Sequence, residues 1–86
     1  METIGNRIKS LRNERRISQI TLAQAIGVGQ ASICEWEKDL HEPTLNGLKS
    51  IAIFFGVTTD FLLGLENEDG TKKQSIIFNI QNNYNK

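Results

Sequence analysis

The chain has 86 residues, of which 38% are hydrophobic and 23% charged, and its ten basic and ten acidic residues give a net charge of zero. This length suits one small domain with a modest core, and the composition is that of an ordinary globular protein rather than a disordered one. No apolar run could span a bilayer, the N-terminus lacks the apolar segment of a secretion signal, and a single cysteine cannot form an internal disulfide. We therefore expect a protein of the cytoplasm, with no membrane contact.

The first predicted element is a helix that runs from about Thr3 to Arg15. Ile4, Ile8 and Leu11 follow one another at helical spacing, so they lie on one face of it. A local basic surface is predicted here even though the whole chain is neutral. Half of the ten basic residues lie in this helix or in the turn after it, namely Arg7, Lys9, Arg12, Arg15 and Arg16.

Residues 18–37 contain two short helical segments joined by Gly-Val-Gly, a connection too short for a loop. Ser18 is predicted to cap the first segment, because a serine hydroxyl can accept a hydrogen bond from a free backbone amide. Gly27 is predicted to end that segment in the left-handed conformation, and Gly29 opens the second. Two helices joined this closely are typical of a helix-turn-helix. The predicted inward residues are Leu22, Ala23, Ile26, Val28, Ile33 and Trp36.

Two further helices are predicted after a polar link that ends at Pro43. Thr44 is a predicted cap for a helix over Leu45 to Phe55, and a short fifth helix follows Thr58 or Thr59. Gly47 costs up to about 1 kcal/mol relative to alanine inside a helix, so a loose first turn is expected there. The predicted inward residues of this region are Leu48, Ile51, Ala52, Phe55, Val57, Phe61 and Leu62.

Ile53 and Phe54 do not fit the inward pattern of the fourth helix. Ile53 falls on the polar face, and the adjacent Phe54 extends it into an apolar patch. One interpretation is that a second subunit or the chain's own tail covers this patch; the other is that these are isolated exposed apolar residues, which are common.

Residues 65–86 are predicted to form a charged linker followed by a tail. In residues 75–81, Ile76, Phe78 and Ile80 alternate with the residues between them, and this period of two predicts a β-strand. Because a lone strand cannot satisfy its own backbone, we predict that it pairs with its copy in a second subunit. The alternative is an extension without fixed structure.

In their order and spacing, these elements resemble the phage-repressor and Cro-like (XRE-like) helix-turn-helix family. The resemblance extends from about Ile4 to Gly64 and rests on RIKSLRNERRIS, LAQAIGVGQASICEWE, the Pro43-Thr44 helix start and GVTTDFLLG. It implies an all-α, five-helix lambda-repressor-like domain over residues 1–64. It also implies a sequence-specific double-stranded-DNA-binding transcriptional regulator, a repressor that binds an inverted-repeat operator as a homodimer.

The resemblance places the second helix of the motif in the DNA major groove, where its outward N-terminal residues meet base edges. A glutamine can bond adenine through N6 and N7, an alanine can contact the thymine methyl, and a serine can donate or accept. Glu35 could accept from the cytosine amino group, although a solvated carboxylate is the alternative. The candidate base-contacting residues are Gln30, Ala31, Ser32 and Glu35.

Contacts to DNA phosphates are expected at the edges of the motif. Gln19 begins a helix, where an amide side chain and free N–H groups can clasp a phosphate, and the family uses the glutamines matching Gln19 and Gln30 in this way. Gly29 replaces the family's usual serine or threonine, so one hydroxyl contact is lost at this position. The remaining candidates, each with a solvated charge as the alternative, are Lys38, His41, Arg15 and Arg16.

The resemblance also implies an ion pair between Arg12 and Glu37. In the family, the arginine matching Arg12 pairs with the acidic residue at the end of the recognition helix, which is Glu37 here. A bidentate contact of this kind would join the first helix to the third. We interpret both residues as structural rather than as DNA contacts.

Nothing in the sequence indicates catalysis. It contains one histidine, one cysteine, no cluster with metal-ligand spacing and no glycine-rich phosphate loop. We therefore expect no enzyme activity, no metal and no cofactor, and we interpret Cys34 as an inert helix residue rather than a redox switch. The alternative function is a protein-interaction module, such as an antitoxin or anti-repressor, which the zero net charge and Glu35 favour.

Overall fold

The structure, a computed structural model, describes residues 2–67 and 71–73. The described residues form five α-helices, which confirms the predicted all-α class. The helices are α1 (Ile4–Glu14), α2 (Gln19–Ile26), α3 (Gln30–Glu37), α4 (Leu45–Phe55) and α5 (Thr59–Leu63). No helix within these residues is long and apolar enough to cross a bilayer.

Local sequence accounts for where the helices begin. Four of the five have a hydroxyl residue at the N-cap whose oxygen accepts a hydrogen bond from the backbone N–H three residues later. Helix α3 differs, because its N-cap is Gly29 and no side chain caps it. The capping residues are Thr3, Ser18, Thr44 and Thr58.

The turn between α2 and α3 depends on the left-handed conformation of Gly27, whose φ is 76°. This conformation is unfavourable for residues with a Cβ atom. It lets the backbone N–H groups of Gly27 and Val28 both bond to the carbonyl of Ala23. The chain can therefore reverse within a few residues and pack α3 against α2.

One hydrophobic core lies among the helices, and each of them contributes to it. Val28 and Leu48 pack against this core from partly buried positions. Phe61 was predicted to face inward but is 37% exposed, because the single turn of α5 directs Leu62 into the core instead. The fully or nearly buried apolar residues are Ile8, Leu22, Ala23, Ile33, Trp36, Ile51, Ala52, Phe55 and Leu62.

Two glycines allow close approach to the end of α3. A Cβ atom on Gly5 would lie 2.3 Å from the backbone oxygen of Trp36, and one on Gly47 would lie 2.7 Å from the Trp36 ring. The first turn of α4 was predicted to be loose, but Gly47 is buried against Trp36 and its N–H bonds to Thr44 Oγ1 at 3.0 Å. Both glycines therefore let their helices, α1 and α4, pack closely against the end of α3.

After α5 the chain folds back on itself, where the sequence predicted a simple linker. Glu66 and Lys72 form an antiparallel bridge, and Lys73 N–H donates to the Leu65 carbonyl at 2.9 Å. The predicted strand residues Ile76, Phe78 and Ile80 lie outside the described residues.

A side-chain hydrogen bond and ion pairs hold Glu66 and Lys72 against the start of α5. The Thr58 hydroxyl donates to the Glu66 carboxylate, and Lys72 Nζ lies 3.1 Å from Asp60 Oδ2 and 3.2 Å from Glu66 Oε2. We call these four residues, Thr58, Asp60, Glu66 and Lys72, the clip. The clip holds Glu66 and Lys72 against the start of α5.

Candidate nucleic-acid interface

Helix α3 has one buried side and one side open to solvent. Ile33, Trp36 and Glu37 are 0%, 6% and 7% exposed, so they face the other helices. On the other side Gln30 and Ala31 are exposed. This geometry leaves the first turn of α3 free to approach another molecule.

The remaining candidate base contacts lie on the same open side of α3 but are less accessible. Ser32 and Glu35 are partly exposed. Among the described residues no ion pair or side-chain hydrogen bond involves the Glu35 carboxylate, so it remains available as an acceptor. The structure thus brings all four candidate base contacts, Gln30, Ala31, Ser32 and Glu35, to one helix.

Behind the open side, Arg12 and Glu37 form a bidentate ion pair. Arg12 Nε donates to Glu37 Oε2 at 2.7 Å and its Nη2 donates to Oε1 at 3.0 Å. Arg12 Nη1 also donates to the Ile17 carbonyl at 2.9 Å. The hydrogen bond to Glu37 is the main cause of a raised pKa for Arg12, so the guanidinium keeps its charge. The pair joins α1, the end of α3 and the turn before α2.

A chain of hydrogen bonds leads from this pair to the protein surface. Gln19 Nε2 donates to Glu37 Oε1 at 3.1 Å, and Gln30 Nε2 approaches Gln19 Oε1 at 3.4 Å. The second contact is at the long end of the hydrogen-bond range. Because Glu37 can only accept, it fixes the Gln19 amide with its nitrogen inward and its oxygen toward Gln30. We call Arg12, Glu37, Gln19 and Gln30 the amide relay.

The amide relay leaves each glutamine with unused bonding capacity at the surface. Among the residues that the structure describes, Gln30 commits one N–H of its amide to Gln19 and keeps its oxygen and a second N–H. One donor and one acceptor side by side are what the N7 and N6 groups of adenine require. Gln19 keeps a second amide N–H beside the start of α2, where unpaired backbone N–H groups attract an anion.

Three other predicted phosphate contacts have exposed side chains, whereas the fourth is a glycine. Lys38 and His41 are exposed just after α3, and Arg16 is exposed in the left-handed conformation after α1. Gly29 has no side chain to offer and lies exposed before α3.

Arg15 has a different environment from the one expected. Its Nη2 donates to the Phe55 carbonyl at 2.9 Å, and its guanidinium carbon lies 5.6 Å from the centroid of the Phe55 ring. A cation placed over an aromatic ring and bonded to the last carbonyl of α4 stabilises the end of that helix. The side chain is therefore engaged with α4 through one N–H and its guanidinium face, and a phosphate contact by Arg15 stays a prediction.

Sequence reasoning missed the contact that holds the start of α1 against the end of α3. Asp39 adopts a φ of 59°, and its carboxylate accepts from Gly5 N–H at 3.2 Å and from the Thr3 hydroxyl at 2.7 Å. Helical periodicity does not predict which carboxylate of a loop will contact a helix. The sequence signal for this contact is Gly5, because a glycine is unfavourable inside a helix and can indicate that another part of the chain lies close to it. The Asp39 carboxylate thus links the end of α3 to the start of α1.

Two of the predicted interface residues, Ile53 and Phe54, are exposed on α4. Ile53 is 72% exposed and Phe54 is 37% exposed.

Within the described residues, no group of three or more His, Cys, Asp or Glu side chains could hold a metal ion.

Comparison with known proteins identifies the family. A profile described as Helix-turn-helix matches residues 8–62. The chain is 31% identical over 64 residues to an immunity repressor protein of Bacillus phage phi105, covering 74% of this chain and 44% of that protein. It is 34% identical over 62 residues to the HTH-type transcriptional activator BcrR of Enterococcus faecalis, covering 72% of this chain and 30% of that protein.

A solved structure has the same fold over most of this chain and nearly all of its own chain. The P22 c2 repressor, in a crystal structure with a synthetic operator, superposes with a TM-score of 0.71 and is 28% identical, covering 73% of this chain and 96% of that chain. The chain spans less than two thirds of the length of the curated relatives it matches. The match over residues 8–62, together with these similarities, shows that the chain belongs to the XRE-type helix-turn-helix family.

Proposed function

We propose that the protein is a sequence-specific double-stranded-DNA-binding regulator of transcription whose α3 enters the major groove. The observation that carries this proposal is the amide relay, which runs from a buried ion pair to Gln30 at the exposed start of α3. A surface glutamine that served only solubility would need no such orientation. The similarity to a repressor solved with its operator supports the same reading.

Base recognition falls to the open side of α3, and backbone recognition to its surroundings. Gln30, with a free donor and acceptor, suits adenine, and Glu35 suits the amino group of cytosine. Gln19 and the start of α2 would hold one phosphate, while Lys38 would add a second, sequence-independent contact. The neutral net charge implies modest non-specific affinity, so discrimination between sites depends on the base contacts.

As in the interpretation of the sequence, the proposed active form is a homodimer on an inverted repeat. Two copies would place their α3 helices in successive major grooves about 34 Å apart, on half-sites roughly ten base pairs centre to centre. Repression by excluding polymerase is the simplest mechanism, and the similarity to a phage immunity repressor supports it. The similarity to an activator keeps activation as the alternative outcome at the promoter.

The test is selection from a random double-stranded DNA pool with purified protein, followed by titration of the selected site. Gln30→Ala should lose about 1–3 kcal/mol on the preferred site and relax the preference at one base position. Lys38→Ala should weaken all sequences about equally and reduce the salt dependence. Gln24→Ala is the matched control, because the side chain of this exposed glutamine of α2 makes no hydrogen bond within the described residues.

The outcomes separate DNA recognition from the alternative. Enrichment of an inverted repeat that is blurred by Gln30→Ala and retained by Gln24→Ala would support the proposal. If Gln30→Ala bound every site with the affinity of the parent protein, the placement of α3 would be wrong. An absence of any enrichment at low salt would favour the protein-interaction module, for which the exposed Ile53 and Phe54 are the supporting observation.

A further inference from the structure

The turn after α3 contains a residue in a backbone conformation that is unfavourable for it. Glycine adopts the left-handed conformation at the ends of α2, α4 and α5, with φ angles of 76°, 69° and 78°. After α3 the residue in this conformation is Asp39, with a φ of 59°. A residue with a Cβ atom adopts this conformation at a cost, although aspartate tolerates it better than most. A glycine would satisfy the backbone at this position more easily than Asp39 does.

The Asp39 side chain compensates for this cost by capping a second helix. Its Oδ1 accepts from the Gly5 backbone N–H at 3.2 Å, and its Oδ2 accepts from the Thr3 hydroxyl at 2.7 Å. The N–H groups of the first turn of a helix have no partner within the helix, and that end of the helix favours a negative charge. Thr3 Oγ1 in turn accepts from the Asn6 N–H at 3.0 Å. The Asp39 carboxylate therefore completes the N-terminal cap of α1.

These bonds also hold the turn after α3 in place. Asp39 N–H donates to the Trp36 carbonyl at 3.1 Å, and Leu40 N–H donates to the Glu35 carbonyl at 2.9 Å, which closes the end of α3. In residues 38–43, and counting only partners in the described part of the chain, Asp39 alone forms a side-chain hydrogen bond or ion pair. The side-chain hydrogen bonds that hold this turn against α1 are therefore those of the Asp39 carboxylate.

We propose that Asp39 is a positioning residue for DNA binding, because it fixes the backbone from which Lys38 reaches a phosphate. Lys38 directly precedes Asp39 and has an exposed side chain. A lysine reaches its partner through a flexible four-carbon stem, so the part of its contact that the fold can organise in advance is the backbone that carries it. Asp39 acts through Lys38 and does not itself contact DNA. This inference rests on the proposed entry of α3 into the major groove.

Removing the Asp39 carboxylate has two effects of opposite sign on the affinity for DNA. It deletes a negative charge next to Lys38, which by charge alone should strengthen binding to phosphates. It also releases the turn from α1, which should weaken the contact that Lys38 makes. Asparagine and glycine both delete the charge, but asparagine keeps an acceptor for the Gly5 N–H and tolerates the left-handed conformation. The two replacements therefore separate the effect of charge from the effect of position.

The experiment measures the affinity of the full chain for one DNA duplex at several salt concentrations. The duplex is the site enriched by the parent, or a mixed-sequence duplex if none is enriched, because phosphate contacts carry no sequence information. Asp39→Gly should bind more weakly than the parent despite its more favourable charge. The slope of log affinity against log salt should be smaller in magnitude by about 0.9, the value for one phosphate contact.

Two matched variants complete the comparison. Asp39→Asn should bind at least as tightly as the parent, with an unchanged salt slope, because it keeps the bond to Gly5. Lys38→Ala should reproduce the smaller slope of Asp39→Gly. Adding Asp39→Gly to Lys38→Ala should reduce the slope no further, because the contact that Asp39 positions is already absent.

Three results would overturn this inference. Equal affinities and equal salt slopes for Asp39→Gly and Asp39→Asn would show that only the charge matters. An Asp39→Gly variant that is unfolded in buffer, as reported by Trp36 fluorescence, would show that the carboxylate is needed for the fold itself rather than for placing Lys38. A parent that bound no duplex at low salt would overturn the proposed function together with this inference, whereas the first two results leave the proposed function standing.

Discussion

The ion pair between Arg12 and Glu37 should be the most sensitive single contact in the domain. Their side chains are 12% and 3% exposed. Replacing Glu37 by alanine removes both carboxylate acceptors of the Arg12 guanidinium and leaves it, within the described part of the chain, with only the Ile17 carbonyl. It also removes the acceptor of the Gln19 amide. Leaving one partner of a buried pair uncompensated typically costs about 3–5 kcal/mol.

That loss is large for a domain of this size. Small domains are stable by roughly 0.05–0.15 kcal/mol per residue, which is about 4–13 kcal/mol for 86 residues, so the loss removes between about a quarter and all of the free energy of unfolding. Trp36, the sole tryptophan of the chain and 6% exposed, is a natural fluorescence probe for urea unfolding. Glu37→Ala should lower the urea midpoint steeply or leave the protein unfolded in buffer.

Replacing both partners separates the energetic role of the pair from its positioning role. Arg12→Met combined with Glu37→Leu removes both charges together, and such replacements are often neutral or stabilising. This double variant should therefore unfold near the parent midpoint. It should nevertheless discriminate poorly between DNA sites, because Gln19 and Gln30 have lost the acceptor that orients them.

Specific results would refute this reasoning. A loss below about 1 kcal/mol for Glu37→Ala would show that the pair behaves like an exposed one. A double variant as unstable as the single one would mean that the site cannot be repacked with apolar groups. If the double variant folded and kept the parent's DNA discrimination, the amide relay would have no positioning role.

The two packed glycines and the clip supply the remaining predictions. Gly5→Ala should lower the urea midpoint more than Gly47→Ala, because a Cβ on Gly5 meets a backbone oxygen at 2.3 Å whereas one on Gly47 meets the Trp36 ring at 2.7 Å. Overpacking of this kind typically costs about 1–3 kcal/mol of unfolding free energy. Equal midpoints for the two variants would contradict this ranking. The pKa of Glu66 is lowered from its ordinary 4.5, first by the hydrogen bond from Thr58 and then by that from Lys72. A lowered pKa means that the clip contributes stability above the ordinary value and loses it as the pH falls through the lowered one. NMR titration of the Glu66 carboxyl should show this lowered pKa in the parent and the ordinary value in Lys72→Ala with Thr58→Val; an unshifted parent would contradict it.

Local sequence determined most of the helices and the open side of α3. Hydroxyl caps and apolar spacing depend on residues a few positions apart, so Thr3, Ser18 and Thr44 could be recognised as helix starts without any knowledge of the fold. The same spacing separated the inward Ile33 from the exposed Gln30. These features need only backbone geometry, which is why the sequence predicted them.

Only the tertiary structure decided which distant residues meet. The amide relay orders Gln19 and Gln30 through Glu37, and the contact of Asp39 with Gly5 spans 34 positions. Arg15, a predicted phosphate contact, meets Phe55 across 40 positions. Such pairings depend on how the helices cross, and no local pattern contains that information. The sequence alone determines the elements of this protein, whereas their packing determines which side chains are held and which remain free to bind.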